Sequence, residues 1–132
     1  MPTIDIRSGF LGISDKKKIA LKVARELKGH GLDPSHCMVI FSALDEGSLF
    51  SAGLPMPINH GESNRSRVFF IRASIAASRD QFFRKDFATE LFNFFTAQFP
   101  EAFFYLQYED VFPRSVFYAT GETLTNAGTK DY

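Results

Sequence analysis

The sequence lacks several common features, and each absence excludes a class of protein. It has a single cysteine, Cys37, so no disulfide can form within the chain. Basic and acidic residues are equal in number, at 15 each, which argues against nucleic-acid binding through a broadly basic face. The most apolar stretch, Val68 to Ala77, contains Arg72 and is too short to cross a membrane.

Further absences concern targeting and cofactors. The first residues, Met1 to Asp5, have neither the basic region nor the apolar stretch of a signal peptide. Together with the lone cysteine, they predict a cytoplasmic protein. His30, His36 and His60 lack the spacing of metal ligands, and the chain contains no glycine-rich phosphate loop. We therefore predict that the protein uses neither a metal nor a cofactor.

The aromatic residues of the chain are mostly phenylalanine, and tryptophan is absent. The chain has 16 Phe and no Trp, and most of the Phe residues lie in its second half. With 45% apolar residues, its 132 residues supply the core of a single domain. The predicted second helix carries Phe on nearly every side, which is typical of a helix covered on more than one face. We expect part of this aromatic surface to be buried between subunits.

The chain divides into two halves with the same order of elements. Alternation of polar and apolar residues predicts strands, and an apolar stripe at helical spacing predicts the helices. In the first half we predict a strand, a helix capped by Ser14, a second strand and a short hairpin, over Thr3–Arg7, Ser14–Gly29, Met38–Leu44 and the residues up to Gly53. In the second half we predict a strand, a helix capped by Ser78, a strand, a turn and a last strand, over Arg67–Ala76, Ser78–Phe99, Phe103–Tyr108, Glu109–Asp110 and Val116–Ala119.

Matching positions in the two halves keep a nearly constant spacing of about 64 to 67 residues, which indicates a duplicated βαβ unit. Ile6 matches Ile71, and Leu27 matches Leu91. Two such units predict an α/β fold in which one four-stranded sheet carries two helices on a single face. The other face of the sheet would be bare and would need a partner, so we expect a closed symmetric oligomer.

The predicted organisation is a single domain, residues 1–132. Repeat unit one covers residues 1–53, and a proline-containing linker covers 54–66. Repeat unit two covers 67–121. The polar tail, 122–132, is expected to be mobile or to drape over a neighbour.

Several short motifs resemble one known family. A Pro directly after Met1, the helix start at Ser14-Asp15, and Asp33-Pro34 before a strand that leads into a glycine turn resemble the tautomerase superfamily. The first half is similar to 4-oxalocrotonate tautomerase. The double length and the segment from Glu109 to Phe117 look more like 5-carboxymethyl-2-hydroxymuconate isomerase, and the segment from Tyr105 to Asp110 is similar to macrophage migration inhibitory factor.

This resemblance implies a tautomerase/MIF-like fold, a homotrimer and a cofactor-independent isomerase that acts on a small carboxylated keto or enol acid. Pro2 would be the catalytic acid and base once removal of Met1 leaves it as the chain start. An amine at a chain start titrates at about 7.7–8.0 in model compounds, and burial lowers that value. A neutral amine can take a proton from the carbon beside a carbonyl and return it elsewhere.

The resemblance also suggests residues that would bind the substrate. Arg72 would contact the carboxylate or enolate, and Tyr105 would enter the pocket from a neighbouring subunit. Arg79 matches an arginine of the muconate isomerase, and Phe50 and Phe117 could form an apolar wall. Each also has an ordinary structural interpretation, as an ion pair, a solvated helix start or a packed strand residue. Weaker candidates are Arg7, Arg65, Arg67 and Arg114.

Two departures from the family pattern favour an alternative hypothesis. Family arginines that bind carboxylate are replaced here by Ile13 and Met38, neither of which can do so. The chain as written also retains Met1, which acylates Pro2. The alternative is a non-catalytic trimer of the same fold that binds a ligand or a protein.

Overall fold

The computed structural model describes residues 2–58 and 67–129. In chain order its helices and longer strands are β1 (Thr3–Ser8), α1 (Ile13–Gly29), β2 (Met38–Ala43), β5 (Val68–Ala76), α2 (Gln81–Gln98) and β6 (Phe103–Val111). Short strands form a hairpin after β2, β3 (Phe50–Ser51) with β4 (Leu54–Pro55), and another after β6, β7 (Phe117–Tyr118) with β8 (Thr125–Asn126). Strand, helix and strand therefore occur twice in this order, as predicted. The second hairpin was predicted only as a single strand, Val116–Ala119.

The four long strands form one mixed sheet in the order β2-β1-β5-β6. β1 is parallel to β2, and β5 is parallel to β6, with a helix crossing over within each pair. The two central strands, β1 and β5, are antiparallel and place Ile6 opposite Ile71. Because these two residues occupy matching positions in the repeats, the halves are related by an approximate twofold axis between the central strands. The predicted fold class is confirmed.

Both helices pack on the same face of the sheet. Alternate residues of the central strands point to this face and are buried, namely Ile4, Ile6, Phe69, Ile71, Ala73 and Ile75. Each helix presents three buried side chains at matching positions of the repeats, Ile19, Val23 and Leu27 from α1 and Phe83, Phe87 and Leu91 from α2. At two of these positions α2 has Phe where α1 has Ile and Val, which accounts for part of the excess of Phe in the second half. All these residues belong to one apolar core.

The opposite face of the sheet, here called the open face, is not covered by any described element of the chain. Apolar side chains on its two edge strands are exposed, among them Met38 and Ile40 on β2 and Phe103 and Tyr105 on β6. Burying such surface stabilises a protein by about 25 cal/mol per Å². The open face therefore favours contact with a further molecule.

The predicted helix caps are wrong. Helix α1 begins at Ile13, and the residue before it, Gly12, forms no side-chain cap. Helix α2 begins at Gln81, where the carboxylate of Asp80 accepts a hydrogen bond of 2.9 Å from the N–H of Phe83. A turn closed by the N–H of Arg79 and the carbonyl of Ala76 keeps Ser78 outside the helix. Asp80 is the better cap because its charge also suits the helix dipole.

The turn predicted at Glu109-Asp110 is also wrong. β6 continues through both residues to Val111 because the nine residues of β5 pair with it along their whole length. Two cations balance the carboxylates in the strand. Arg72 lies 3.7 Å from Glu109, and Arg84 lies 2.8 Å from Asp110.

Helix α2 is tied to β6 by Arg84 and Tyr108. The phenol of Tyr108 donates a hydrogen bond of 2.6 Å to the carbonyl of Arg84, whose guanidinium lies 5.4 Å from the Tyr108 ring. Burial raises the pKa of Tyr108 to about 12, although the Arg84 charge acts in the opposite direction. The phenol is therefore a hydrogen-bond donor at every physiological pH.

The second hairpin lies partly in the predicted polar tail. β8 pairs with β7, and Ala127, which follows it, is fully buried beside Ala76. Residues up to 129 therefore fold onto their own chain, and 130–132 are outside the described residues, as are 59–66 of the predicted linker.

Within the described ranges, neither helix is long and apolar enough to span a membrane. The cytoplasmic location stays a prediction.

We expect Phe95→Ala to lower the free energy of unfolding by about 3–5 kcal/mol, because it leaves a cavity in the core. The Phe95 side chain is fully buried, and its ring lies 4.7 Å from that of Phe69 and 5.5 Å from that of Phe104. Denaturation in guanidinium chloride measures the loss.

The control for this variant is Phe82→Ala on the same helix. Its side chain is 76% exposed, so the change should be within about 0.5 kcal/mol. Equal losses in the two variants would contradict this description of the core.

Candidate active site

Pro2 lies at the start of the parallel pair formed by β1 and β2. It directly precedes β1, and its side chain is less than 2% exposed. Its carbonyl accepts a hydrogen bond of 3.1 Å from the N–H of Met38, the first residue of β2. Met38 thus lies beside Pro2, at the position where the resemblance expects an arginine. Pro2 is therefore buried, and its backbone is bound to the start of β2.

Cys37 lies next to this position and is not poised as a nucleophile. Its sulfur is 3.8 Å from the carbonyl oxygen of Met38. Burial raises the pKa of the Cys37 thiol to about 11, while the positive chain terminus acts in the opposite direction. At neutral pH the group is a protonated thiol, which is a poor nucleophile.

A second candidate site is a groove on the open face, here called the open-face groove. Its volume is about 310 Å³. All four long strands contribute to its lining, which consists of Asp5, Arg7, Ser42, Phe70, Ile71, Arg72, Tyr105 and Gln107. Strand register brings the outward-facing side chains of this lining together, because Asp5 lies opposite Arg72 and Phe70 lies opposite both Arg7 and Tyr105. The side chain of Ile71 itself is buried in the core.

The groove combines cations, hydrogen-bonding groups and an aromatic wall. The Nε of Arg72 is 3.7 Å from Glu109, and both side chains are more than half exposed. The hydroxyl of Tyr105 donates a hydrogen bond of 3.0 Å to Gln107. The rings of Phe70 and Tyr105 are 5.7 Å apart. The groove therefore offers ionic, hydrogen-bonding and aromatic contacts side by side, with Asp5 and Glu109 beside the arginines.

The structure brings Arg72 and Tyr105 together but separates both from Pro2 of the same chain. Arg72 lies opposite Asp5 on the open face. Side chains alternate along a strand, so Pro2 shares the opposite, covered side with Ile4. A site containing all three residues would therefore need two subunits. The catalytic role of Pro2 and the binding roles of Arg72 and Tyr105 stay predictions.

The other predicted binding residues lie outside the groove. Phe50 and Phe117 occupy matching positions in the two hairpins, and both are exposed. Arg79 follows β5, with its guanidinium 5.5 Å from the Phe83 ring. Ile13, the first residue of α1, is also exposed. The roles proposed for the first three stay predictions.

The weaker arginine candidates have separate positions. Arg7 lines the open-face groove. Arg67 lies over the Phe99 ring at 4.9 Å and donates a hydrogen bond of 3.3 Å to a backbone carbonyl. Arg114 belongs to the second hairpin region, and Arg65 is outside the described residues.

Sequence reasoning did not find four polar residues of the groove, Asp5, Arg7, Ser42 and Gln107, as one site. Alternation from Thr3 to Arg7 does place Asp5 and Arg7 on one face of a strand. The pairing register that adds Ser42 and Gln107 is a tertiary property. It could not be read from either strand alone.

A further polar cluster joins the two helices. The ligand atoms of Glu26, His30 and Asp86 lie within 4.8 Å of one another, which is close enough for a metal site. However, His30 and Asp86 form a hydrogen bond of 2.8 Å, and the Lys22 ammonium is 2.7 Å from Glu26. These groups satisfy one another, so the cluster is an interhelix network. The sequence did not indicate it because its members come from different helices.

Comparison with known proteins identifies the fold. No family profile and no curated protein sequence matches the chain. Among solved structures, a member of the cis-3-chloroacrylic acid dehalogenase family matches with a TM-score of 0.75 and 17% identity, over 96% of this chain and 86% of the other. The chain has the tautomerase superfamily fold.

Two more matches support this fold. The protein Pt0534, solved after inactivation by 2-oxo-3-pentynoate, matches with a TM-score of 0.72 and 15% identity, over 96% of this chain and 97% of the other. A fused 4-OT, described as an asymmetric trimer, matches with a TM-score of 0.65 and 16% identity. The match covers 92% of this chain and 94% of the other. At identities this low, the structural matches establish the fold but not the activity.

We predict that Cys37 reacts slowly with a disulfide reagent such as DTNB near pH 8, because only its thiolate is nucleophilic. Its raised pKa, about 11, means that the rate should keep rising with pH well above the range of an ordinary thiol. Absorbance of the released thiolate follows the reaction. The same protein unfolded in guanidinium is the control, and equally fast labelling when folded would contradict the prediction.

Proposed function

We propose that the protein is a cofactor-independent tautomerase that transfers a proton on a small carboxylated keto or enol acid. The observation that carries this proposal is Pro2, a proline fixed directly before the first strand of a tautomerase-type fold. Processing of Met1 would make Pro2 a secondary amine. Its role would be to remove a proton from carbon and return it at another position.

The position of Pro2 suits an amine that is neutral at working pH. Its side chain is less than 2% exposed, and burial among apolar groups disfavours a charged amine. A neutral amine can act as a general base, and its protonated form can then act as the acid. A guanidinium can bind a substrate carboxylate through two parallel hydrogen bonds (bidentate binding) and can stabilise an enolate. Because Arg72 and Tyr105 lie across the sheet from Pro2 of their own chain, a neighbouring subunit would supply them.

The decisive experiment measures ketonisation of phenylenolpyruvate by tag-free protein whose mass confirms loss of Met1. We expect a rate well above that of buffer, and a fall of about 10²-fold or more in Pro2→Ala, because general acid–base groups contribute about that much. Pro34→Ala is the control, since this proline belongs to a short 3-10 turn after α1. It should keep the rate. A ketonisation rate no higher than that of buffer, in processed and assembled wild-type protein, would overturn the proposal.

We further propose a homotrimer, in which neighbouring subunits cover part of the open face. Apolar side chains on both edge strands support this assembly, and the fused 4-OT of the same fold is described as a trimer. Light scattering after size exclusion should give about 45 kDa, three copies of a 14.9 kDa chain.

A matched pair of variants tests the contact surface. Ile40→Glu places a charge on the open face, where the side chain is 49% exposed, and should shift the mass towards the monomer. Leu21→Glu changes a side chain that is 50% exposed on α1 and should leave the mass unchanged. A wild-type monomer at micromolar concentration would overturn the trimer proposal.

The second candidate is a non-catalytic trimer that binds a ligand or a protein. Met38, which lies beside Pro2, favours it, since a thioether cannot hold a carboxylate where an arginine is expected. The phenylenolpyruvate experiment separates the two functions. An intact trimer without activity would support the binding protein.

A further inference from the structure

Three potential metal ligands meet between the two helices, on the side of the sheet opposite the open face. Glu26 and His30 are four residues apart at the end of α1, so their side chains lie on one face of that helix. Asp86 of α2 faces them, and one ligand atom from each of the three residues lies within 4.8 Å of the other two. We propose that this cluster, here called the helix-pair site, binds a divalent transition-metal ion such as Zn²⁺.

The donor set of the helix-pair site suits zinc better than magnesium or calcium. Zinc accepts an imidazole nitrogen together with carboxylate oxygens, and with three protein ligands it keeps a water in the fourth position. Mg²⁺ and Ca²⁺ instead take oxygen ligands, usually about six or more. The imidazole of His30 therefore decides which class of ion fits.

The ligands are held in place before any ion binds. The Nε2–H of His30 donates a hydrogen bond of 2.8 Å to the carboxylate of Asp86. The His30 ring also packs edge-to-face on Phe83, with 4.7 Å between the ring centroids. The side chains of His30 and Glu26 are only 16% and 19% exposed, so neither moves freely in water. An ion would have few further groups to order, which favours its binding.

The contacts that these groups make without an ion do not block the site. His30 would bind the ion through Nε2, in the tautomer that carries its proton on Nδ1, and Asp86 would exchange its hydrogen bond for the same ion. The Lys22 ammonium is 2.7 Å from Glu26, but it is also 3.7 Å from Glu90. Lys22 would therefore keep a partner when Glu26 turns to the ion.

The local charge favours a cation. The network holds three carboxylates and one ammonium, from Glu26, Asp86, Glu90 and Lys22. A second cation, Arg79, has its guanidinium 5.5 Å from the Phe83 ring. Even when Arg79 is counted, the carboxylates outnumber the cations by one. With His30 as a neutral ligand, a divalent ion would reduce the repulsion between the carboxylates.

The test is isothermal titration of the assembled, tag-free protein with zinc chloride, with magnesium chloride titrated beside it. We expect one zinc ion per chain, and magnesium binding weaker by about tenfold or more, because Mg²⁺ gives up its water reluctantly. Asp86→Asn keeps the shape of the side chain and an acceptor oxygen for His30 but removes the charge. It should weaken zinc binding by about tenfold or more, since even the outer partners of metal ligands contribute that much.

His36→Ala is the matched control for His30→Ala. His36 also lies near an aspartate, 3.8 Å from Asp33, yet among the described residues it belongs to no group of three such ligands. Zinc should raise the melting temperature of the wild type and of His36→Ala, because an ion that binds only the folded chain stabilises it. It should not raise the melting temperature of His30→Ala or Asp86→Asn.

Three results would each overturn the proposal: absence of zinc binding, equal zinc affinity of Asp86→Asn and His36→Ala, or magnesium binding as tightly as zinc. The helix-pair site uses no residue of the proposed active site. Failure of the tautomerase proposal would therefore leave this result unaffected, and the reverse also holds.

Discussion

The antiparallel pairing of β1 with β5 is the constraint on which the rest of this structure depends. It joins the two repeats at the centre of the sheet and places Ile6 opposite Ile71. Each central strand then carries its own parallel partner and its own crossover helix. Because side chains alternate along both strands, one register decides which residues enter the core and which face outwards. A shift of one residue would exchange these two sets.

The same register separates two kinds of chemistry. Pro2 and the apolar side chains of the central strands lie on the side covered by the helices, where burial favours uncharged groups. Asp5, Arg7 and Arg72 lie on the open face, where ions stay hydrated. The two candidate sites therefore differ in polarity because they use opposite sides of the same strands.

Much of the fold was predictable because duplication repeats its signals. Constant spacing between matching residues identified two βαβ units, and apolar stripes located both helices. The incorrect predictions concern features that local sequence patterns do not determine. Glu109 and Asp110 look like turn residues, but nine residues of β5 extend the strand through them. Ser78 looks like a helix cap, but Asp80 fills that role.

The candidate sites were less predictable than the fold. Pro2 could be singled out from the motif around it, and Arg72 and Tyr105 were found to share one groove. The separation of Pro2 from these two depends on strand pairing, so the sequence did not indicate it. Arg7 was only a weak candidate for the same reason.

Duplication also gives Pro2 a counterpart that could not take the acid–base role proposed for Pro2. Arg67 precedes β5 as Pro2 precedes β1, and its carbonyl accepts a hydrogen bond of 2.9 Å from the first residue of β6, as that of Pro2 does from β2. Yet a chain has only one beginning, so the nitrogen of Arg67 is locked in an amide. Of these two matching positions, only the one before β1 could therefore carry a terminal amine. The position before β5 instead holds a cation that packs over an aromatic ring, with the guanidinium of Arg67 4.9 Å from the ring of Phe99.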